Sequence, residues 1–285
     1  GEEMKTHHRL LIYFLSLLLI VTLTGCSELF LKSKNHYASS TVNYLYPDKE
    51  VIEKPTIPSL SLPLRVGVAF VPETGSRSTL SHLSEKDKYD LMERIASEFK
   101  TLEFVKEIEI IPSAYLTKRG SFTNLDQIKT MYGIDIITLL SYDQVQHTDE
   151  GLLSLSYWTI VGAYLVKGER NYTNTMLDAA LYDISSRKML FRAPGISHIK
   201  GSATLVNLSE KLREDSRASF HAAADNLVVN LREELERFRQ KVKDQPEEYI
   251  IEHKPGYSGG AAIESVFALI LVALAGVALW RERKP

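Results

Sequence analysis

The sequence predicts an α/β domain, a mixed-sheet α/β sandwich, and three observations carry that expectation. Short apolar runs alternate with helical patterns from residue 65 to residue 146, which is the β-α-β-α-β order of an α/β fold. Long stretches rich in Tyr, Trp, Thr and Leu then follow without an intervening helix, as expected of antiparallel strands. A long helical pattern closes the domain, and an apolar segment lies at each end of the chain, read as a signal peptide and a C-terminal transmembrane helix.

Each element has a local reason. Arg65-Val66-Gly67-Val68-Ala69-Phe70-Val71 is an apolar run between prolines, the mark of a buried strand. Ser84 ahead of Glu85, Lys86 and Asp87 supplies an N-cap with acid in the first turn. Leu91, Ile95, Phe99 and Leu102 then recur at helical spacing. Val105 to Ile111 alternates into a second strand stopped by Pro112. Leu125 to Tyr132 reads as a short helix ended by Gly133, and Ile134 to Gln146 as a third strand.

The second half changes character. Leu153 to Lys167 and Asn174 to Asp183 read as long strands, with Tyr157 and Trp158 packed in the sheet rather than forming a carbohydrate platform. Ser185-Ser186-Arg187-Lys188 reads as a hairpin turn into Lys188 to Ala193, and Gly195 to Gly201 extends that strand past a bend at Pro194-Gly195. Leu205 to Lys243 is a helix with Phe220, Ala224, Leu227, Leu231, Leu235, Phe238 and Val242 on one stripe. The domain is thus expected over 62–243. A Pro-rich tether over 26–61 precedes it, a polar linker over 244–258 follows, and residues 1–25 and 259–285 are terminal signals. Tyr37, Tyr44 and Tyr46 dot the tether, which is expected to hold one short packed segment at most; docking of these tyrosines is the alternative.

Lys5 and Arg9 precede an almost wholly apolar stretch from Leu10 to Leu23, the layout of a secretory signal peptide. It ends in Leu23-Thr24-Gly25-Cys26, which resembles the lipobox of bacterial lipoproteins. The resemblance implies a diacylglycerol on the Cys26 thiol, cleavage before Cys26 and acylation of the new amine. Several buried acyl chains hold a protein to a bilayer far more firmly than one, at roughly 0.8 kcal/mol per CH₂. Cys26 is the only cysteine, which excludes an intrachain disulfide, a redox pair and a cysteine-based zinc site. Ser27, where some lipoproteins carry an inner-membrane retention aspartate, favours the outer membrane.

At the other end, Ala261 to Trp280 spans about 30 Å as a helix, enough for a bilayer core. Arg281, Arg283 and Lys284 follow it and would remain cytoplasmic, leaving the domain outside. Glycines just before the span, Gly259 and Gly260 among them, resist helix formation at the membrane surface. This Gly-Gly, apolar helix and basic stop resemble the GlyGly-CTERM sorting tail recognised by rhombosortase, a rhomboid-type serine protease. Lipobox and tail together resemble the rhombotarget lipoproteins, with a permanent double anchor as the alternative. The element order of the central domain is similar to the periplasmic domains of curli-secretion-type lipoproteins and to the amino-terminal domain of the Tol-system propeller protein. Those resemblances imply assembly with itself or with envelope partners.

Composition restricts the rest. Residues 26 to 259 keep 29 Lys and Arg against 32 Asp and Glu, so no basic field remains to hold nucleic acid. No cofactor motif is present: there is no GxGxxG, no phosphate-binding GxxxxGK[ST] and no HExxH. Asp143, His147, Asp149 and Glu150 follow the third strand and read as a polar loop rather than a metal or acid–base site. Ser141, His198 and Asp178 supply triad residue types without a Gly-x-Ser-x-Gly elbow. His221 beside Phe220 reads as a buried, satisfied histidine, and the sequons at Asn171 and Asn207 as chance.

The functional expectation is a non-enzymatic, exported lipoprotein of the Gram-negative cell envelope, membrane-attached at Cys26 and processed at Gly259-Gly260. Lipoprotein-processing enzymes and a rhomboid-type protease are its expected partners, with a second copy or an envelope protein for the central domain. An envelope hydrolase or metal-dependent enzyme on the same anchors, or a double-anchored secretion component, are the alternatives.

Overall fold

A computed structural model describes residues 33–47, 54–73, 83–150, 169–203 and 207–257. The elements are β1 (Ser33–Ala38), α1 (Thr41–Leu45), β2 (Ser59–Leu62), β3 (Leu64–Phe70), α2 (Glu85–Phe99), β4 (Val105–Ile111), α3 (Ser121–Tyr132), β5 (Ile136–Glu150), β6 (Glu169–Asp183), β7 (Met189–Ala203), α4 (Leu208–Asp244) and β8 (Ile250–His253). The expected α/β class with a mixed sheet is the one observed. The main sheet runs β4-β3-β5-β6-β7, with β1 also paired to β5, and a second sheet pairs β2 with β8. β3 is parallel to both neighbours, in registers that set Val66 beside Ile108 and Ile136. β6 and β7 are joined by only five residues, closed by the Asp183 N–H donating to the Lys188 carbonyl at 3.0 Å, so they are antiparallel.

Contacts divide the chain into two units. Of the described residues, the larger holds those within 37–143, 175–197 and 220–257, and the smaller those within 33–36, 144–150, 169–174, 198–203 and 207–219. In the larger unit, helices cover both faces of the sheet. Val68 and Phe70 pack with Leu140, Tyr142 and Leu177 under α2 (Leu91, Met92, Ile95) and α4 (Phe220, Leu227, Leu231). The intervening residues Ala69 and Val71 face the other way, packing with Ile137 and Leu139 under α3 (Phe122, Leu125, Ile128) and α1 (Tyr44, Leu45). The two-residue period of β3 thus explains why a continuous apolar run is needed there: both of its faces are buried. Each fully buried Leu or Phe contributes roughly 1.5–3 kcal/mol.

Local expectations fare variously. Ser84 caps α2 through its side chain, which accepts from the Asp87 N–H at 3.1 Å. Gly133 ends α3 at φ 63°. α3 starts four residues earlier than expected, because Phe122 is fully buried and pulls the first turn into the core. No bend interrupts β7 at Pro194-Gly195; the strand runs through both residues. A Cβ at Gly195 would lie 2.3 Å from the Ala223 carbonyl oxygen and 2.8 Å from the Leu227 nitrogen, so glycine there permits α4 to approach the strand.

The expected tether holds more structure than one short segment. β1 and α1 fall within it, and β2 starts in it. The Tyr44 hydroxyl donates to Asn124 Oδ1 at 2.8 Å, and Tyr46 meets Phe122 edge-on. Docking of these two tyrosines, the lesser expectation, is what occurs. The expected linker after α4 likewise contains β8, parallel to β2 with Ser59 beside Ile250 and Leu62 beside His253. No helix among the described residues is long and apolar enough to cross a membrane, and the 261–280 segment lies outside them.

Candidate functional site

In the larger unit, the apolar stripe of α4 is not buried evenly. Phe220, Leu227 and Leu231 are in the core, whereas Leu235, Phe238 and Val242 further along are only partly covered. Between this last stretch and the sheet lies an apolar groove. Its inner part, about 70 Å³, is bounded by Val66, Ile95, Phe99, Ile136 and Leu231. Its outer part, about 230 Å³, is bounded by Leu60, Leu181, Leu190, Phe238, Val242 and Ile251. Leu64, Phe104, Ile136, Leu181, Phe191 and Leu235 border both parts, so the two adjoin.

The groove floor comes from the amino-terminal ends of β3 and β5 together with β6 and β7, where residues two apart project to the same side. One wall is the α4 stripe; β2 and β8 close another. Tyr249 fixes that side: it is 3 % exposed, packs edge-on against Phe238, and carries Lys188 and Lys241 over its ring at 5.0 and 5.6 Å. Two cations stand at the mouth, Arg239 and Lys243. The Arg239 guanidinium lies 5.8 Å over the Phe104 ring and donates to Glu236 Oε1 at 2.8 Å, while Lys243 has no acidic partner among the described residues.

A second cavity in this unit, about 330 Å³, opens at the carboxyl end of β3, the usual place for a ligand in a parallel α/β sheet. Tyr46, Glu73, Lys118 and Arg119 line it. Two of its three charges have work within the fold. Arg119 donates to the Pro47 carbonyl at 3.0 Å, and Glu73 pairs with Lys88 at 3.3 Å.

The smaller unit holds a buried polar layer instead. Gln144, Gln146, Asn171 and Thr173 are buried, as are Asp215 and Ser219 on α4. Gln146 donates to Thr173 Oγ1 at 3.2 Å and to the Leu212 carbonyl at 2.9 Å. Gln144 exchanges hydrogen bonds with Ser216. Asp215 accepts from Asn171 Nδ2 and pairs with Lys211 at 3.2 Å. Sequence reasoning missed this layer, since Asp215 reads as part of a solvated helix face; the signal was alternation in β5, where Gln144, Gln146 and Thr148 occupy every second position.

The residues singled out from the sequence fall as follows. Asp143 and His147 are not in a loop: β5 continues to Glu150 and both sit on it, half-buried, on the side opposite Gln144 and Gln146. No group of three His, Cys, Asp or Glu side chains poised for a metal occurs among the described residues. The triad residue types have other partners. Asp178 pairs with Arg192, His198 bonds Asn174 and stacks on Tyr172, and Ser141 is buried in β5. Burial raises the Asp178 carboxyl above the usual range, against the pull of Arg192. His221 is exposed rather than buried; it occupies the outer face of α4, one step beyond the stripe, with its ring against Phe220. Asn171 is 1 % exposed, which closes that sequon to any transferase acting on the folded chain. Leu23, Thr24, Gly25, Cys26, Tyr157, Trp158, Gly259, Gly260, Arg281, Arg283 and Lys284 lie outside the described residues.

No protein-family model matches the chain, and no curated protein is significantly similar to it.

Proposed function

We propose that the chain is a non-enzymatic lipoprotein of the Gram-negative cell envelope, anchored through acyl groups on Cys26 and trimmed at Gly259-Gly260 by a rhomboid-type sorting protease. Its α/β domain serves partner binding or self-assembly outside the inner membrane, on the outer membrane or cell surface. The observation that carries this reading is the pairing of a lone cysteine in Leu23-Thr24-Gly25-Cys26 with a Gly-Gly, apolar and Arg281-Glu282-Arg283-Lys284 tail, two signals that demand the same topology.

The positions of the first and last described elements support it. Ser33, the start of β1, is seven positions after Cys26, a reach of at most about 25 Å. Gly259 is six positions after His253, the end of β8. The described elements thus lie within a few residues of both proposed processing points, a spacing that would keep the domain close to a bilayer.

Intact mass measurement of the protein from its native envelope tests this. The expected form begins at acylated Cys26 and ends at Gly259 or Gly260. A form retaining Trp280 overturns the sorting half of the proposal, and an unmodified Cys26 thiol with the leader attached overturns all of it. Replacing Gly259 and Gly260 with leucine is expected to leave the tail uncut, because leucine favours helix over glycine by up to about 1 kcal/mol per residue and removes the unwound backbone a rhomboid-type protease requires.

A further inference from the structure

We propose that the apolar groove under α4 binds the chain of a long-chain fatty acid, with the carboxylate at Lys243 and Arg239. The lining decides the class of occupant. It presents methyl groups and rings throughout, Thr138 at the inner end and Arg239 and Lys243 at the mouth being the polar exceptions. An extended peptide laid there would leave its N–H and C=O groups without partners. One turn of a helix, about 10 Å across with its side chains and about 5.4 Å long, fills roughly 400 Å³, more than the groove's parts of about 230 and about 70 Å³ together. A polymethylene chain has neither difficulty.

Charge decides the head. Glu236 already bonds Arg239, whereas Lys243 has no acidic partner among the described residues, so one lining cation stands unneutralised. One carboxylate balances it, and the planar guanidinium beside it supplies a second donor. The chain would lie against Leu235, Phe238 and Val242, the three stripe residues that the protein leaves partly uncovered. This site does not depend on how either terminus is processed.

Full-length protein in phosphatidylcholine nanodiscs, irradiated with palmitic acid bearing a mid-chain diazirine and mapped by mass spectrometry, tests the assignment. Adducts are expected on Leu181, Phe191, Leu235 and Phe238. Leu235→Trp fills the slot and is expected to reduce them about tenfold. Lys243→Glu, a surface change that leaves the core intact, is expected to reduce them about threefold. Unlabelled palmitate is expected to compete, and hexadecanol is not. Adducts confined to residues 258–285 or scattered over the surface overturn the proposal, as does equal competition by hexadecanol. Stronger competition by phosphatidylglycerol overturns the free fatty acid as ligand. If circular dichroism shows Leu235→Trp to be unfolded, Lys243→Glu alone decides.

Discussion

Tyr44 and Tyr182 illustrate how single side chains set conditions on the fold. Burial raises the Tyr44 phenol well above its ordinary range, and burial first, then the phenol of Tyr46, pushes Tyr182 up to about 12. Both are acids held neutral in the core, so the folded state binds their protons more tightly than the unfolded chain, where the phenol titrates near 10. Their contribution is complete below about pH 10 and is lost as pH rises towards 12. Alkaline unfolding followed by circular dichroism is therefore expected to begin near pH 10, and Tyr182→Phe to move its onset upward. Tyr44→Phe removes the hydroxyl that donates to Asn124 Oδ1, whose other donor is the Thr117 N–H at 3.0 Å, and is expected to cost about 1 kcal/mol. At Gly195 even a methyl group meets helix backbone on two sides, which no side-chain rotation relieves. Gly195→Ala is expected to lower stability by about 2 kcal/mol or more in urea unfolding.

Among the secondary-structure elements, the legible ones share a feature: their neighbours in sequence announce them. Ser84 with acid behind it, Gly133 after an apolar period, and the bounded run from Arg65 to Val71 each carry a signal within a few residues. What stayed hidden needed a distant partner. β2 and β8 are four residues each and depend on one another across the whole domain, so neither has a periodicity long enough to read. The sequence pattern of β5 stops at Gln146 because His147, Asp149 and Glu150 beyond it offer no apolar alternation and read as a loop, whereas the strand runs on to Glu150. The candidate groove was equally invisible, since it follows from where α4 stands away from the sheet and its lining residues read simply as core. The β2–β8 side rests on Tyr249, and Tyr249→Ala is expected to cost about 3–4 kcal/mol, measurable as a fall in the urea midpoint. A small loss, below about 1 kcal/mol, would mean that residues 246–257 are a loose extension.

For the chain as a unit, the attachment chemistry and the fold are separable. A lone cysteine can form no disulfide within the chain, so Cys26→Ala is expected to release the amino terminus from lipid while leaving the unfolding midpoint unchanged. Membrane fractionation with a parallel thermal melt distinguishes the two effects. The register of β8 on β2 adds a further consequence. The ladder pairs run to His253, and the Lys254 N–H donates to the Leu62 carbonyl at 2.8 Å, the last bond between the two strands among the described residues. Hydrolysis at Gly259, five positions further on, is therefore expected to leave this ladder intact. Calorimetric traces of trimmed and untrimmed protein should superimpose, and a scission that costs no folding free energy can be left to the timing of the protease alone.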